Sequence, residues 1–272
     1  MIAAASALSF SFFPGTAENF SAPKPLHRIV SLSPSLSEMI SSLGAADTIV
    51  GVTAYDRTKA ASVGTLVNPS IEAIIRLAPD AVLFCDEDSA VQHLETLSAT
   101  GIRAVNFPRV RSFDDSIAAL LRLGNLLGKE SEARELASRY RVSYAQRAGA
   151  SAPQKVLFLI SADPVIAASD SSYIGAMIRD AGGVCCAVSG ANPYPVLSKE
   201  YVVRCAPDIV ISAFHDNEAV VKKNFSSFSS LPFMNREIVG IDPDIACRYD
   251  PASMIYAKKI IEDSLYPGSS VK

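Results

Sequence analysis

Apolar residues fall into two kinds of run along this 272-residue chain. Short, nearly continuous apolar stretches read as strands buried on both faces: Arg28-Ile-Val-Ser-Leu-Ser33, Thr48 to Val52, and Lys155-Val-Leu-Phe-Leu-Ile160. Helical spacing follows, each time closed by glycine: Ser37 to Leu43 before Gly44, and Tyr173 to Ala181 before Gly182. The pattern predicts a further strand at Val184 to Val188.

One segment occurs twice. Ser70-Ile-Glu-Ala-Ile-Ile-Arg-Leu-Ala-Pro-Asp-Ala-Val-Leu83 is echoed by Ser198-Lys-Glu-Tyr-Val-Val-Arg-Cys-Ala-Pro-Asp-Ile-Val-Ile211, 128 residues later. Each copy predicts a short helix capped by its serine, a break at Ala-Pro-Asp, and a buried strand. The elements before each copy correspond too. Alternation of strand and helix implies an α/β fold with a parallel sheet covered on both faces. Two such units predict two similar lobes.

Between them Ser112 to Ala148 holds a helical period, with Ile117, Leu120, Leu121, Leu123 and Leu127 on one face. Gly128 interrupts it. The helix beyond Gly128, about 20 residues and so about 30 Å long, predicts a stiff backbone joining the lobes. The organisation expected is a leader over 1–17, an N-terminal α/β lobe over 18–127, a long interdomain backbone helix over 128–150, and a C-terminal α/β lobe over 151–272.

Composition changes the picture in three ways. A net charge of -3, with both signs interspersed, offers no footprint for nucleic acid and no basic run for a membrane surface. Met1 to Phe13 is uncharged and apolar or small, and Pro14 to Ala17 precede Glu18, which resembles a secretory leader too short to span a bilayer. An ordinary apolar N-terminal element is the plainer reading. Finally, Cys85, Cys185, Cys186, Cys205 and Cys247 fit no zinc spacing and leave one unpaired if bridges form. Cys85 and Cys205 read as small hydrophobes in or beside apolar strands. An oxidising compartment permits one bridge that the sequence does not assign.

Arg28 to Glu38 (Arg-Ile-Val-Ser-Leu-Ser-Pro-Ser-Leu-Ser-Glu), Ile49-Val-Gly-Val-Thr-Ala-Tyr55, Glu72 to Leu83, and Asn192-Pro-Tyr-Pro-Val-Leu-Ser-Lys-Glu200 occur in an order that resembles one family. This is the group of periplasmic binding proteins with a helical backbone, which carry cobalamin, haem and ferric siderophores to ABC importers. The likeness runs from Arg28 to near Leu265. The Ser-Pro-Ser start and the Pro-Tyr-Pro segment are most similar to the cobalamin-binding branch. That branch often places a tryptophan where this chain has Leu66 or Val67; the chain has no tryptophan at all. The resemblance implies a monomeric, extracytoplasmic solute-binding protein with no catalytic residues, no resident cofactor, and the permease subunits of an importer as partners. Its ligand would be a corrinoid or, alternatively, haem or a ferric siderophore.

Ligands of open α/β sheets bind beyond the carboxyl ends of the strands. Ser33 and Ser35 lie there, opening a helix whose amides suit a carboxylate or amide oxygen; a capping box of Ser35 with Glu38 is the plainer reading. Tyr55 follows the second strand and Tyr194 precedes the second copy of the repeat, so the two face the cleft from opposite lobes. A tyrosine face suits a macrocycle, and a tyrosinate can ligate haem iron. In the family the loop before the last helix lines the cleft, which here brings in Arg248 and Tyr249. Arg248 suits a phosphate or carboxylate of the ligand, or a surface salt bridge to Asp244 or Asp250. His215 follows the repeated strand of the second lobe. Glu72 and Glu200 occupy equivalent first-turn positions, where the family uses exposed glutamates to engage arginines of the permease; a first-turn acid also complements the helix dipole.

Against an enzyme stand the absence of a Gly-rich phosphate loop, of H-E-x-x-H and of a Gly-x-Ser-x-Gly elbow, and the scatter of His27, His93 and His215. A two-lobed metal-chelate enzyme, and a relative that has kept only docking, are the competing readings.

Overall fold

A computed structural model describes residues 24–65, 67–86, 97, 100–145, 153–188, 190, 192–214, 217–226, 232–235 and 238–267. The leader expected over 1–17 lies outside them. The N-terminal sheet holds β1 (Ile29–Ser31), β2 (Ile49–Val52), β3 (Ala61–Ser62), β4 (Ala81–Cys85) and β5 (Arg103–Phe107), in the order β3-β2-β1-β4-β5, every pair parallel. The C-terminal sheet holds β6 (Lys155–Ala162), β7 (Val165–Ala167), β8 (Val184–Cys185), β9 (Ile209–Ser212) and β10 (Val239–Gly240), in the order β10-β9-β6-β7 with β8 also on β6. The two copies of the repeat end in β4 and β9, in different sheets. The duplicated α/β architecture is therefore as expected.

Helices α1 (Pro34–Ser42) and α2 (Ile71–Arg76) belong to the first half; α5 (Tyr173–Asp180), α6 (Lys199–Cys205), α7 (Asn217–Asn224), α8 (Pro243–Ala246) and α9 (Pro251–Leu265) belong to the second. Strand side chains alternate between two faces. Ala81, Leu83 and Cys85 join a core shared with β6, β9 and α9, whereas Val82 and Phe84 join a separate cluster with Ile74 and Leu97. In the second sheet Val156, Phe158, Ile209 and Ile211 enter the shared core, and Leu157, Leu159 and Val210 pack with Val202, Val221 and Phe225.

The Ala-Pro-Asp element does the same work in both lobes. The Asp80 carboxylate accepts the backbone N–H groups of His27 (2.8 Å) and Arg28 (2.9 Å), and the Asp80 N–H donates to the Arg28 carbonyl at 2.7 Å. The Asp208 carboxylate accepts the Lys155 N–H at 2.9 Å, and the Asp208 N–H donates to the Lys155 carbonyl at 2.8 Å. The basic side chains then cap the preceding helix: Arg28 donates to the carbonyls of Leu77 (2.6 Å) and Ala78 (3.1 Å), Lys155 to that of Cys205 (2.9 Å). Both helices end on an alanine in the left-handed region, Ala78 at φ 43 and Ala206 at φ 51. That conformation costs an L-residue about 1 kcal/mol or more, so the brace and the strand behind it must hold it in place.

Three features go beyond the expectation. Gly128 (φ 65) interrupts the helical run as expected, between α3 (Phe113–Leu127) and α4 (Glu130–Ala145), and it also turns the chain back on itself. Phe113 at the start of α3 stacks on Tyr144 at the end of α4, with ring centroids 3.8 Å apart, so the pair forms a hairpin. Secondly, β7 is antiparallel to β6, since the chain folds back at Asp163-Pro164. Thirdly, Cys205 is the last residue of α6 and is bonded to Cys186, while Cys85 and Cys185 are buried thiols and Cys247 is an exposed one.

Candidate functional site

The halves meet where the carboxyl ends of β1 and β2 approach the segment after β10. The Ser33 hydroxyl and the Tyr249 phenol share a hydrogen bond of 2.5 Å. The Ser35 hydroxyl accepts the Tyr249 N–H at 3.0 Å, and Ser116 of α3 donates its hydroxyl to the Tyr249 carbonyl at 2.6 Å. Tyr173 of α5 presents its ring edge to Tyr249 at 6.4 Å and donates its own hydroxyl to the Ala246 carbonyl at 2.9 Å. Arg248, 7% exposed, donates to the carbonyls of Asp244 (2.7 Å) and Pro34 (3.4 Å). Of the alternative surface salt bridge, the Asp244 arm is replaced by a contact with the backbone: the guanidinium meets the carbonyl of Asp244, not its carboxylate. Asp250, also buried, caps α9 by accepting the Ser253 N–H at 3.0 Å, and burial pushes its carboxyl pKa up.

Ser33, Ser35, Arg248 and Tyr249 are thus brought together, but buried and bonded to one another. Sequence reasoning missed Ser116 and Tyr173, whose partners lie 133 and 73 positions away and leave no local signal.

Nearer solvent, the loop after β2 carries Tyr55, 73% exposed, and Arg57. Arg57 donates to the Asp244 carboxylate at 2.9 Å and lies 3.7 Å from that of Asp242, crossing from one half to the other. The Asp244 hydrogen bond raises the Arg57 pKa above its ordinary value. Arg57 was also missed, although its place two residues after Tyr55, with acids in the loop before the last helix, was a usable signal. Tyr194 is half-buried against the shared core, and its N–H donates to the Asn192 side chain at 3.0 Å. His215 lies outside the described residues.

Glu72 and Glu200 stand exposed in the first turns of α2 and α6. The caps are those expected: Ser70 accepts the Ala73 N–H at 3.2 Å and Ser198 the Tyr201 N–H at 3.1 Å. Ser70 also donates to the Glu72 carboxylate at 3.3 Å. The backbone amide of Glu200 and then the Ser198 hydroxyl hold the Glu200 pKa below the usual range. Each helix leads through a tight turn into a strand of its parallel sheet, so its amino end lies at the carboxyl edge of that sheet, the edge that faces the other half.

A cavity of about 790 Å³ lies at the opposite edge, lined by Gln154, Asp208, Ile209, Val239, Ile260 and Asp263 among others, and contains no residue of the expected site. No described helix is long and apolar enough to cross a membrane.

The sequence pattern of the periplasmic binding protein family matches residues 29–230. The chain belongs to this family. Among curated relatives, a cobalamin-binding protein of Halobacterium salinarum is 30% identical over 202 residues, 68% of this chain. Those residues are 53% of that relative, so the chain spans about half its length. A vitamin B12-binding protein of Yersinia pestis is 22% identical over 243 residues, 86% of this chain and 85% of the relative. Among solved structures, a periplasmic haem-binding protein from Pseudomonas aeruginosa superposes with a TM-score of 0.78 at 20% identity, over 89% of this chain and 94% of that one. That likeness confirms the two-lobed α/β fold.

Proposed function

We propose that the protein is the solute-binding component of an ABC importer, working outside the cytoplasm as a monomer and binding a corrinoid between its lobes. The observation that carries this reading is the duplicated half-molecule: two sheets turn their strand ends toward one another, and each presents a capped helix with an exposed glutamate. The cobalamin-binding relatives favour the corrinoid. Tyr55 and Tyr194 form the aromatic walls, Arg57 and the acids opposite form the rim, and the cluster around Tyr249 is the frame that spaces them. Ser33, Ser35 and Arg248 act through that frame, and His215 stays a candidate on the wall of the second lobe. Glu72 and Glu200 engage basic groups of the permease, one per lobe, which sets orientation as well as attraction. The ligand is released chemically unchanged.

Haem is the second reading, favoured by the exposed phenol of Tyr55, a group able to ligate ferric iron. Visible absorption titrations with cyanocobalamin, haemin and a ferric chelate separate the readings, because corrin, Soret and charge-transfer bands differ. Saturable binding of cyanocobalamin at one site is the expected result. Binding to none of the three rejects the proposal, and a product spectrum in place of recovered ligand turns it toward an enzyme.

A further inference from the structure

The disulfide joins Cys186 to Cys205, 19 positions later, with Cα atoms 5.9 Å apart. The loop it closes contains both Tyr194 and Glu200. Cys205 ends α6, and Cys186 directly follows β8. Tyr201, in the first turn of α6 beside Glu200, fastens the same place: its hydroxyl donates to the Cys186 carbonyl at 3.2 Å and accepts the Val188 N–H at 3.1 Å. Residues 193 to 197 of the loop are tied to β7 and the turn after it, where Ser169 N–H donates to the Pro193 carbonyl (2.8 Å), Ala167 N–H to that of Pro195 (3.3 Å) and Leu197 N–H to that of Val165 (2.8 Å).

The first lobe solves the same problem differently. At the repeat's offset of 128, Leu77 stands for Cys205 and Ala73 for Tyr201. Ile71, Ala73, Ile74 and Leu77 seal α2 onto its sheet by apolar contact. Each helix buries one side chain fully, Ile74 and Val202; three partly buried apolar residues support it in α2, and in α6 only Val203 and the bridged Cys205. A helix of seven residues has no stability of its own, so whatever does not come from packing must come from tethers.

We infer that the Cys186–Cys205 bridge and the Tyr201 hydroxyl are positioning groups for Glu200: they hold the carboxylate of the second lobe in fixed register with the Tyr194 segment, so that the ligand wall and the docking helix move as one piece. This rests on the docking role given to Glu200 above. Among the described residues Glu72 has no such device, and it is independent of the bridge.

The test is a double-mutant cycle on the full chain. Cys186→Ser/Cys205→Ser is combined in turn with Glu200→Gln and with Glu72→Gln. Capture by washed membrane vesicles of the source organism, hydrogen exchange over residues 198–206, and titration with cyanocobalamin and haemin are then read. Removing the bridge is expected to leave ligand affinity within about threefold, since the Tyr194 segment keeps its own backbone hydrogen bonds to Val165, Ala167 and Ser169, and to speed exchange over 198–206 by about tenfold or more with 71–77 unchanged. Vesicle capture falls. Glu200→Gln then adds little to that fall, whereas Glu72→Gln keeps its full effect. Tyr201→Phe, which retains ring and bridge, loosens the same segment more mildly and serves if the double serine chain does not fold. Equal losses from Glu200→Gln with and without the bridge, or unchanged exchange over 198–206, overturn the inference alone. No effect of either glutamine substitution in the bridged chain overturns the docking role, and the inference with it.

Discussion

The Tyr249 hydroxyl lies 2.5 Å from that of Ser33, across 216 positions of sequence and from one lobe to the other. Both residues are buried, at 5% and 1% exposure, so neither hydroxyl has water as an alternative partner. With Ser35, Ser116 and Tyr173 on the same residue, Tyr249 joins the first lobe, the backbone hairpin and the second lobe at one point. Such a point resists hinge motion, and on the proposed function the ligand lies beside it.

Tyr249→Phe keeps the ring and strands the Ser33 hydroxyl, so a loss of about 1–3 kcal/mol is expected in urea unfolding. Ser33→Ala alone should cost a similar amount. The double variant should cost clearly less than the sum, because the pair is removed together. Simple additivity would show that the contact carries no energy.

Lys258 and Glu262 pose the opposite problem, a buried ion pair within one helix. Their charged atoms are 2.5 Å apart with side chains 5% and 7% exposed, and the ammonium also donates to the Tyr144 carbonyl at 3.0 Å. Lys258→Met leaves a buried carboxylate alone and should destabilise by about 3–5 kcal/mol. Lys258→Met with Glu262→Leu should recover most of that, because the desolvation cost of both ions disappears. Thermal and urea unfolding of the three chains decide it; a double variant no better than the single would show that the pair itself is required.

What could be read in the sequence was what depends on local backbone demand. Ser70 and Ser198 cap helices and Gly44 and Gly182 end them at positive φ, because these needs are met by the residues on the spot, and the Ala-Pro-Asp break was legible by its repetition although its brace comes from about 50 positions away. The doubled fold and the family followed. The site was less legible, since Tyr249 owes its role to groups 133 to 216 positions away rather than to its neighbours. Gly128 marked a break in the backbone helix, but not that the second helix folds back; that depends on Gly124, whose missing side chain lets Ala133 approach. Cys205 looked like a core residue because its partner comes from another element.

Two aspartates should give opposite pH signatures. Asp80 accepts backbone N–H groups that hold its pKa down, so it adds stability above the ordinary carboxylate range that is lost as the pH falls through its lowered value. Burial raises the pKa of Asp250, so its contribution worsens as the pH rises from the ordinary range through the raised value. Asp80→Asn should therefore lose most, relative to the parent, at neutral pH. Asp250→Asn keeps a good cap and should gain on the parent as the pH rises. Unfolding curves between pH 3 and pH 7 test both; parallel profiles for the two variants would contradict these signs.

Beside Tyr55, Arg57 spans the two halves with an exposed ion pair at what the proposed function makes the mouth of the cleft. Its side chain is 55% exposed and those of Asp242 and Asp244 are 52% and 62%, a setting in which such pairs contribute about 0.2–1 kcal/mol. A clasp that weak biases the mouth without locking it. Arg57→Ala should thus leave unfolding free energy within about 1 kcal/mol and speed ligand association by no more than about fivefold, the factor that 1 kcal/mol allows. Salt screens an exposed pair, so 0.5 M salt should accelerate association with the parent and not with the variant. Stopped-flow mixing with cyanocobalamin or haemin reads both effects. If salt changes the two rates equally, the pair does not gate entry, and the mouth is held by the buried frame at Tyr249 alone.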